Sequence, residues 1–136
     1  MKRQINNRER FKQSILFEGL ENNKCSFTDI DFIQEIDNHT LIVGDCKVKD
    51  NPLTMGQKIL IERLCNKKWK HSFGVVVEHN VPTTEDIILK DTFVREVYVD
   101  NVWIDYRNKN LTFEAFMDAL KIGTSIATGY RAIVGN

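Results

Sequence analysis

Apolar residues fall along the chain with two different periods, and the switches between them predict the elements. Residues 7–20 carry Phe11, Ile15 and Glu18 at i, i+4, i+7 spacing, which predicts a helix with Gly19 as its stop. Residues 28–36, TDIDFIQEI, alternate and predict a strand. Residues 37–39, DNH, predict a turn, and 40–48, TLIVGDCKV, a second strand, so the pair reads as a hairpin. KDNP at 49–52 breaks the pattern, and Thr54 is placed to cap a helix over about 55–66 with Leu60, Ile61 and Leu64 on its apolar stripe. The nearly unbroken apolar run FGVVVEH, 73–79, predicts a central strand buried on both faces. VREVYV and VWIDY flank Asp100-Asn101, a two-residue turn favoured in hairpins. Residues 111–123 predict a last helix, with Thr112 as N-cap and Gly123 as stop. The order is helix, strand, strand, helix, strand, hairpin, helix. That predicts one α/β domain over residues 1–136, with a single mixed central sheet flanked by helices.

Several polar residues interrupt these patterns. Side chains two apart in a strand share a face. Asp29, Asp31, Ile33 and Glu35 would therefore line one face of the first strand, and Leu41, Val43, Asp45 and Lys47 one face of the second. Pairing the two strands would crowd two or three carboxylates together, and such a cluster repels itself unless a proton or a cation intervenes. Mg²⁺ suits it, because it takes oxygen ligands and keeps several waters. Lys47 beside the acids could hold or deprotonate a water, or steady a phosphate oxygen. Glu18 and Gln57 each lie on an otherwise apolar helical stripe, where a polar group needs a partner. The plainer alternative is a solvated acidic hairpin, with both residues wet at helix ends.

Composition narrows the setting. The chain has 136 residues, with 19 Lys plus Arg against 19 Asp plus Glu, so its net charge gives no global pull toward nucleic acid or an anionic membrane. No apolar run approaches the roughly 20 residues of a membrane helix. The polar start MKRQINNRERFKQ carries no signal-peptide core. Cys25, Cys46 and Cys65 are scattered and form no zinc-like pair, which fits reduced thiols in a cytoplasmic protein. His39, His71 and His79 have no triad-like partner in the pattern.

The motifs TDIDFIQEI, GDCK and MGQKILIERL, in that order, resemble the PD-(D/E)xK nuclease superfamily, including small phage members. The resemblance covers about Glu18 to Val77. It implies a restriction-endonuclease-like αββαβ core, here followed by a C-terminal β-hairpin and helix. In that reading Glu18 is the first-helix acid, and Asp31 the Asp of the first motif strand with Asp29 as runner-up or second ligand. Asp45 and Lys47 are the acid-x-Lys, and Gln57 resembles the helix glutamine of some branches. Thr28 stands where proline is usual, Asp45 where Glu is commoner, and the aromatic that often follows the glutamine is absent.

The implied activity is Mg²⁺- or Mn²⁺-dependent hydrolysis of DNA phosphodiester bonds, as in a phage endonuclease or junction-resolving enzyme. Asp31, Asp45, Glu18 and the backbone carbonyl of Cys46 would hold the metal, Lys47 would orient the attacking water, and Gln57 would position Lys47 or the nucleophile. The DNA, single-stranded, double-stranded or branched, would meet grouped basic residues: Arg8 and Arg10 near the N-terminus, and Lys67, Lys68 and Lys70 around Trp69. The alternative for those lysines is complementing a helix dipole, with Trp69 as packing. The late hairpin offers an edge for a homodimer. Two other classes compete: a catalytically inactive module of this fold that binds DNA or a host protein, and a structural domain with a solvated acidic hairpin.

Overall fold

Phe32–Ile36 (β1) and Thr40–Val48 (β2) pair antiparallel around the residue 37–39 turn, where Asp37 and Asn38 adopt positive φ. These elements come from a computed structural model, which describes residues 28–66 and 69–121 together with Leu16, Glu18 and Gly19. The expected helix over residues 7–20 lies outside the described residues, apart from these last three. Glu18 and Gly19 sit in a turn, with Gly19 at φ 78°.

Met55–Cys65 (α1) connects β2 to His71–His79 (β3), which runs parallel to β2. Phe93–Val99 (β4) and Val102–Asp105 (β5) continue antiparallel, and Asp100 and Asn101 both take the positive φ that a tight hairpin turn needs. Phe113–Lys121 (α2) follows, capped by Thr112 Oγ1, which accepts from Ala115 N–H at 3.1 Å. The result is an α/β fold with one mixed five-stranded sheet in the order β1-β2-β3-β4-β5 and two described helices. The buried run of β3 sits at its centre, as the unbroken apolar pattern predicts. Among the described residues no helix is long and apolar enough to cross a membrane.

The two faces of the sheet are covered differently. Ile42, Phe73, Val75, Val77, Val94, Val97 and Val99 pack under Phe113, Phe116, Met117 and Leu120 of α2. On the opposite face Leu41, Val43 and Tyr98 pack under Ile61 of α1. The closeness of α1 depends on Gly74, where an added Cβ would lie 2.2 Å from Ile61 Cγ2. Gly44 plays the matching part on the α2 side, because the ring of its cross-strand partner Phe32 lies over it and stacks edge-on against Phe113.

One boundary differs from the sequence expectation in a way that matters for the site. The alternation of residues 28–36 does not persist as one strand: β1 begins at Phe32, and Asp31 occupies a bend before it. Ile30 packs toward the α1 side while Phe32 packs toward α2, so the chain changes parity at Asp31. Asp29 is therefore out of line with Ile33 and Glu35, and Asp31 stands at the bend that precedes the strand rather than within it.

Candidate functional site

The parallel arrangement of β2 and β3 brings their C-terminal ends together, and the polar interruptions collect there on the α1 side. Asp45 is the centre. Its side chain is wholly buried in the sheet, opposite Val76 of β3. Extending the β1–β2 register one step beyond Phe32↔Gly44 places Asp31 across from it. Asp31 is held by its Oδ2, which accepts from Cys46 N–H at 2.7 Å.

Gln57 is the second fixed point. It stands in the first turn of α1 and forms a capping box with Thr54. Its N–H donates to Thr54 Oγ1 at 3.2 Å, and its Oε1 accepts from Thr54 N–H at 3.2 Å. That box leaves the Nε2 end pointing at the sheet. It donates to Asp45 Oδ1 and to the Asp29 carbonyl, both at 3.2 Å. A polar residue on the helix stripe is thus satisfied by the acid it faces. Asp29 contributes its backbone rather than its carboxylate to these contacts.

The remaining oxygen of Asp45, Oδ2, faces Lys47. The ammonium lies 3.0 Å away, yet off the axis a hydrogen bond needs, so this buried oxygen has a charge partner and no aligned donor. Burial pushes the Asp45 carboxyl above the ordinary carboxylate value of 3.8, the Lys47 ammonium pulls it back, and the Asp31 carboxylate raises it again. Cys46 is also displaced, its thiol pushed up to about 11 by burial and by the two neighbouring acids, so it is no thiolate ligand at neutral pH. Cys65 is buried further and rises to about 12.

These residues fit a hard divalent cation. Two carboxylates repel each other, one of their oxygens is buried without an aligned donor, and oxygen is the chemistry available. Mg²⁺ sites characteristically take one or two carboxylates and complete their shell with water or substrate oxygens. Among the described residues no group of three or more His, Cys, Asp or Glu side chains is gathered to hold a metal. Glu18, exposed in its turn, is therefore not drawn into one set with Asp31 and Asp45.

The expected nucleic-acid contacts are placed apart from this centre. Lys67, Lys68, Arg8 and Arg10 lie outside the described residues. Lys70 is exposed, and Trp69 is half-buried against the α1-side cluster. Both precede the start of β3, where His71 pairs with Thr40. From Thr40 to Asp45 the strand climbs roughly 16 Å, at about 3.3 Å per residue. The Lys70 end of the sheet is therefore the far end from the carboxylates. Trp103 packs on Tyr98 and donates its indole N–H to Glu62 Oε2 at 2.7 Å, a structural use. His39 Nδ1 meets Thr40 Oγ1, and His79 Nδ1 accepts from Val81 N–H.

Two residues of the charged end carry no signal in the sequence reading. Glu78 is the register partner of Lys47, and Arg95 donates to Glu78 Oε2 from Nε at 3.3 Å and from Nη2 at 3.1 Å. Arg95 reaches it through a β-bulge. Val76 pairs with Glu96 but Val77 pairs with Val94, so Arg95 is the extra residue. The adjacent charges in VREV, which spoil a strict alternation, are the trace of that bulge in the sequence. A groove of about 460 Å³, lined in part by Lys49, Glu78, His79, Phe93 and Arg107, opens at this end without including Asp31, Asp45 or Lys47. The chain matches no protein-family model, no curated protein and no solved structure.

Proposed function

We propose that this protein is a metal-dependent nuclease that hydrolyses DNA phosphodiester bonds with a PD-(D/E)xK-type site. The observation that carries the reading is the convergence of Asp31, Lys47 and Gln57, from three different segments, on the buried Asp45 carboxylate. A solvated acidic hairpin does not explain a wholly buried Asp45. The hairpin, helix and parallel strand of β1-β2-α1-β3 also agree with the restriction-endonuclease-like core that the motifs imply.

In this reading each residue has a separate task. Gln57 pins Oδ1 of Asp45, which leaves Oδ2 for the reacting side. Cys46 N–H pins one oxygen of Asp31 in the same way. A divalent Mg²⁺ or Mn²⁺ held by Asp31, Asp45 and the Cys46 carbonyl would supply Lewis acidity and a water of lowered pKa. Lys47, about one-fifth exposed, presents an ammonium at the border of solvent, where it can hydrogen-bond an attacking water or a phosphate oxygen and oppose the growth of negative charge.

The test is incubation with linear, nicked, single-stranded and branched DNA, with RNA as control, in Mg²⁺ or Mn²⁺. Cleavage is expected for the wild type and its loss for Asp45→Ala and Lys47→Ala. Activity that survives both substitutions would place the chemistry elsewhere or in a contaminant. A wild type that binds DNA and cation but cuts nothing would favour the inactive binding module.

A further inference from the structure

Lys47 has two carboxylates available to it, and the structure gives it only one. On its own strand Asp45 lies two residues back on the same face. On the neighbouring parallel strand Glu78 is its direct register partner. Neighbouring strands lie about 4.8 Å apart, well within the reach of a lysine. Gly74, two positions from Val76 and four from Glu78, faces Ile61 of α1, so Glu78 stands on the same side of the sheet as Lys47. The ion pairs nevertheless separate: Lys47 with Asp45 at 3.0 Å, Arg95 with Glu78 at 3.1 Å, and no ion pair between Lys47 and Glu78 among the described residues.

We infer that Arg95 is a positioning residue, which occupies Glu78 so that Lys47 stays on Asp45. The inference rests on the nuclease reading for its kinetic consequence only. Three observations support it. Arg95 is 7% exposed, so it is a built part of the interior and not a surface cation that happens to touch an acid. It meets Glu78 with two N–H groups, a geometry that a lysine cannot reproduce. Its other donors bind the carbonyls of Val48 and Asn51, at the exit of β2 toward Thr54 and Gln57. One guanidinium thereby fixes the competitor of Lys47 and the turn that leads to the partner of Asp45. Without Arg95, Glu78 would be left half-buried and charged, and the nearest cation in register is Lys47.

The experiment compares crystal structures and cleavage rates of the wild type, Arg95→Met, Glu78→Gln and the double variant. Arg95→Met is expected to move the Lys47 ammonium from Asp45 to Glu78 and to slow cleavage roughly 10–100-fold, the scale of a small misplacement of a catalytic group. Glu78→Gln alone should leave both the Lys47–Asp45 contact and the rate near wild type. The double variant should restore the contact and recover most of the lost rate, which a purely structural role of Arg95 would not allow. A double variant as slow as Arg95→Met, or displacement of Lys47 by Glu78→Gln alone, would overturn the inference. Should Arg95→Met not fold, Arg95→Lys takes its place, because it keeps a charge near the two carbonyls but cannot hold Glu78 through a fork. If the wild type cuts no nucleic acid the nuclease reading fails, while the position of Lys47 across the variants still decides the role of Arg95.

Discussion

The two faces of the sheet are built from the same five strands and serve different ends. The α2 face buries one continuous apolar cluster, which joins every strand from β2 to β4 to the stripe Phe113, Phe116, Met117 and Leu120. The α1 face is divided. Its β3-start end is apolar, around Leu41, Val43, Ile61 and Tyr98, and its other end carries Asp45, Lys47, Glu78 and Arg95. The helices differ accordingly. In α1 only Gln57 and Ile61 are buried, one anchoring the helix and the other delivered to the acid. The difference teaches how one sheet divides its faces: α2 covers an apolar cluster, and α1 seats Ile61 on the sheet while presenting the Gln57 amide to a buried acid.

The largest expected effect breaks the first half of that comparison. Phe116→Ala removes a wholly buried ring that contacts Phe73 and Phe113, and should cost about 3–5 kcal/mol in chemical denaturation. A loss under 1 kcal/mol would mean that the α2 face is not the main source of stability. The second test addresses the charged end. Mn²⁺ at about a hundredfold excess over its Kd should stabilise the wild type by about 2.7 kcal/mol in thermal melts and leave Asp45→Ala unmoved. Equal stabilisation of both would remove Asp45 from the proposed metal site. Next in size is the seating of α1: Gly74→Ala drives a methyl against Ile61 and should cost about 1–3 kcal/mol, with weaker Mn²⁺ binding as Gln57 is lifted from Asp45. A variant that loses stability but keeps its Mn²⁺ affinity would show that the helix seating and the site are independent.

What the sequence displays and what it hides follow the same division. The last helix with its Thr112 cap, the FGVVVEH core strand, the Asp100-Asn101 turn and the Thr54 cap are written in local periodicity and turn chemistry, and all four are where those patterns place them. Asp45 and Gln57 were legible as polar residues on apolar stripes, which marks a buried group in need of a partner. Glu78 and Arg95 were not, because their pairing depends on strand register and on a bulge between Val76 and Val77. Neither is a local property of the chain. The same holds for Trp69 and Lys70. Their place at the β3-start end of the sheet, away from Asp45, follows from the crossover through α1 and not from the local sequence. Asp31 is a mixed case, since its residue type signals a ligand while its bend breaks the strand alternation that suggested its face.

The smallest expected effect is also the one that sharpens the comparison most, because it sets function against stability at a single atom pair. Burial raises the Asp45 carboxyl in the folded state above its ordinary value, with Lys47 only partly opposing it. The protonated form is therefore favoured by folding. Its contribution is fully present below about pH 4, the ordinary carboxylate range, and is lost as pH rises through the folded value. Asp45→Asn keeps an acceptor for Gln57 and removes the buried charge. In metal-free buffer at pH 7 it should be more stable than the wild type by about 0.5–2 kcal/mol, the usual gain of a single stabilising substitution. The gap should shrink toward zero as pH falls to 4. Mn²⁺ should reverse the order at pH 7 by stabilising the wild type alone. If Asp45→Asn is instead the less stable protein in metal-free buffer at pH 7, the ion pair with Lys47 outweighs burial. Asp45 would then be a structural acid like Glu78, and the α1 face would hold no centre that a cation is needed to complete.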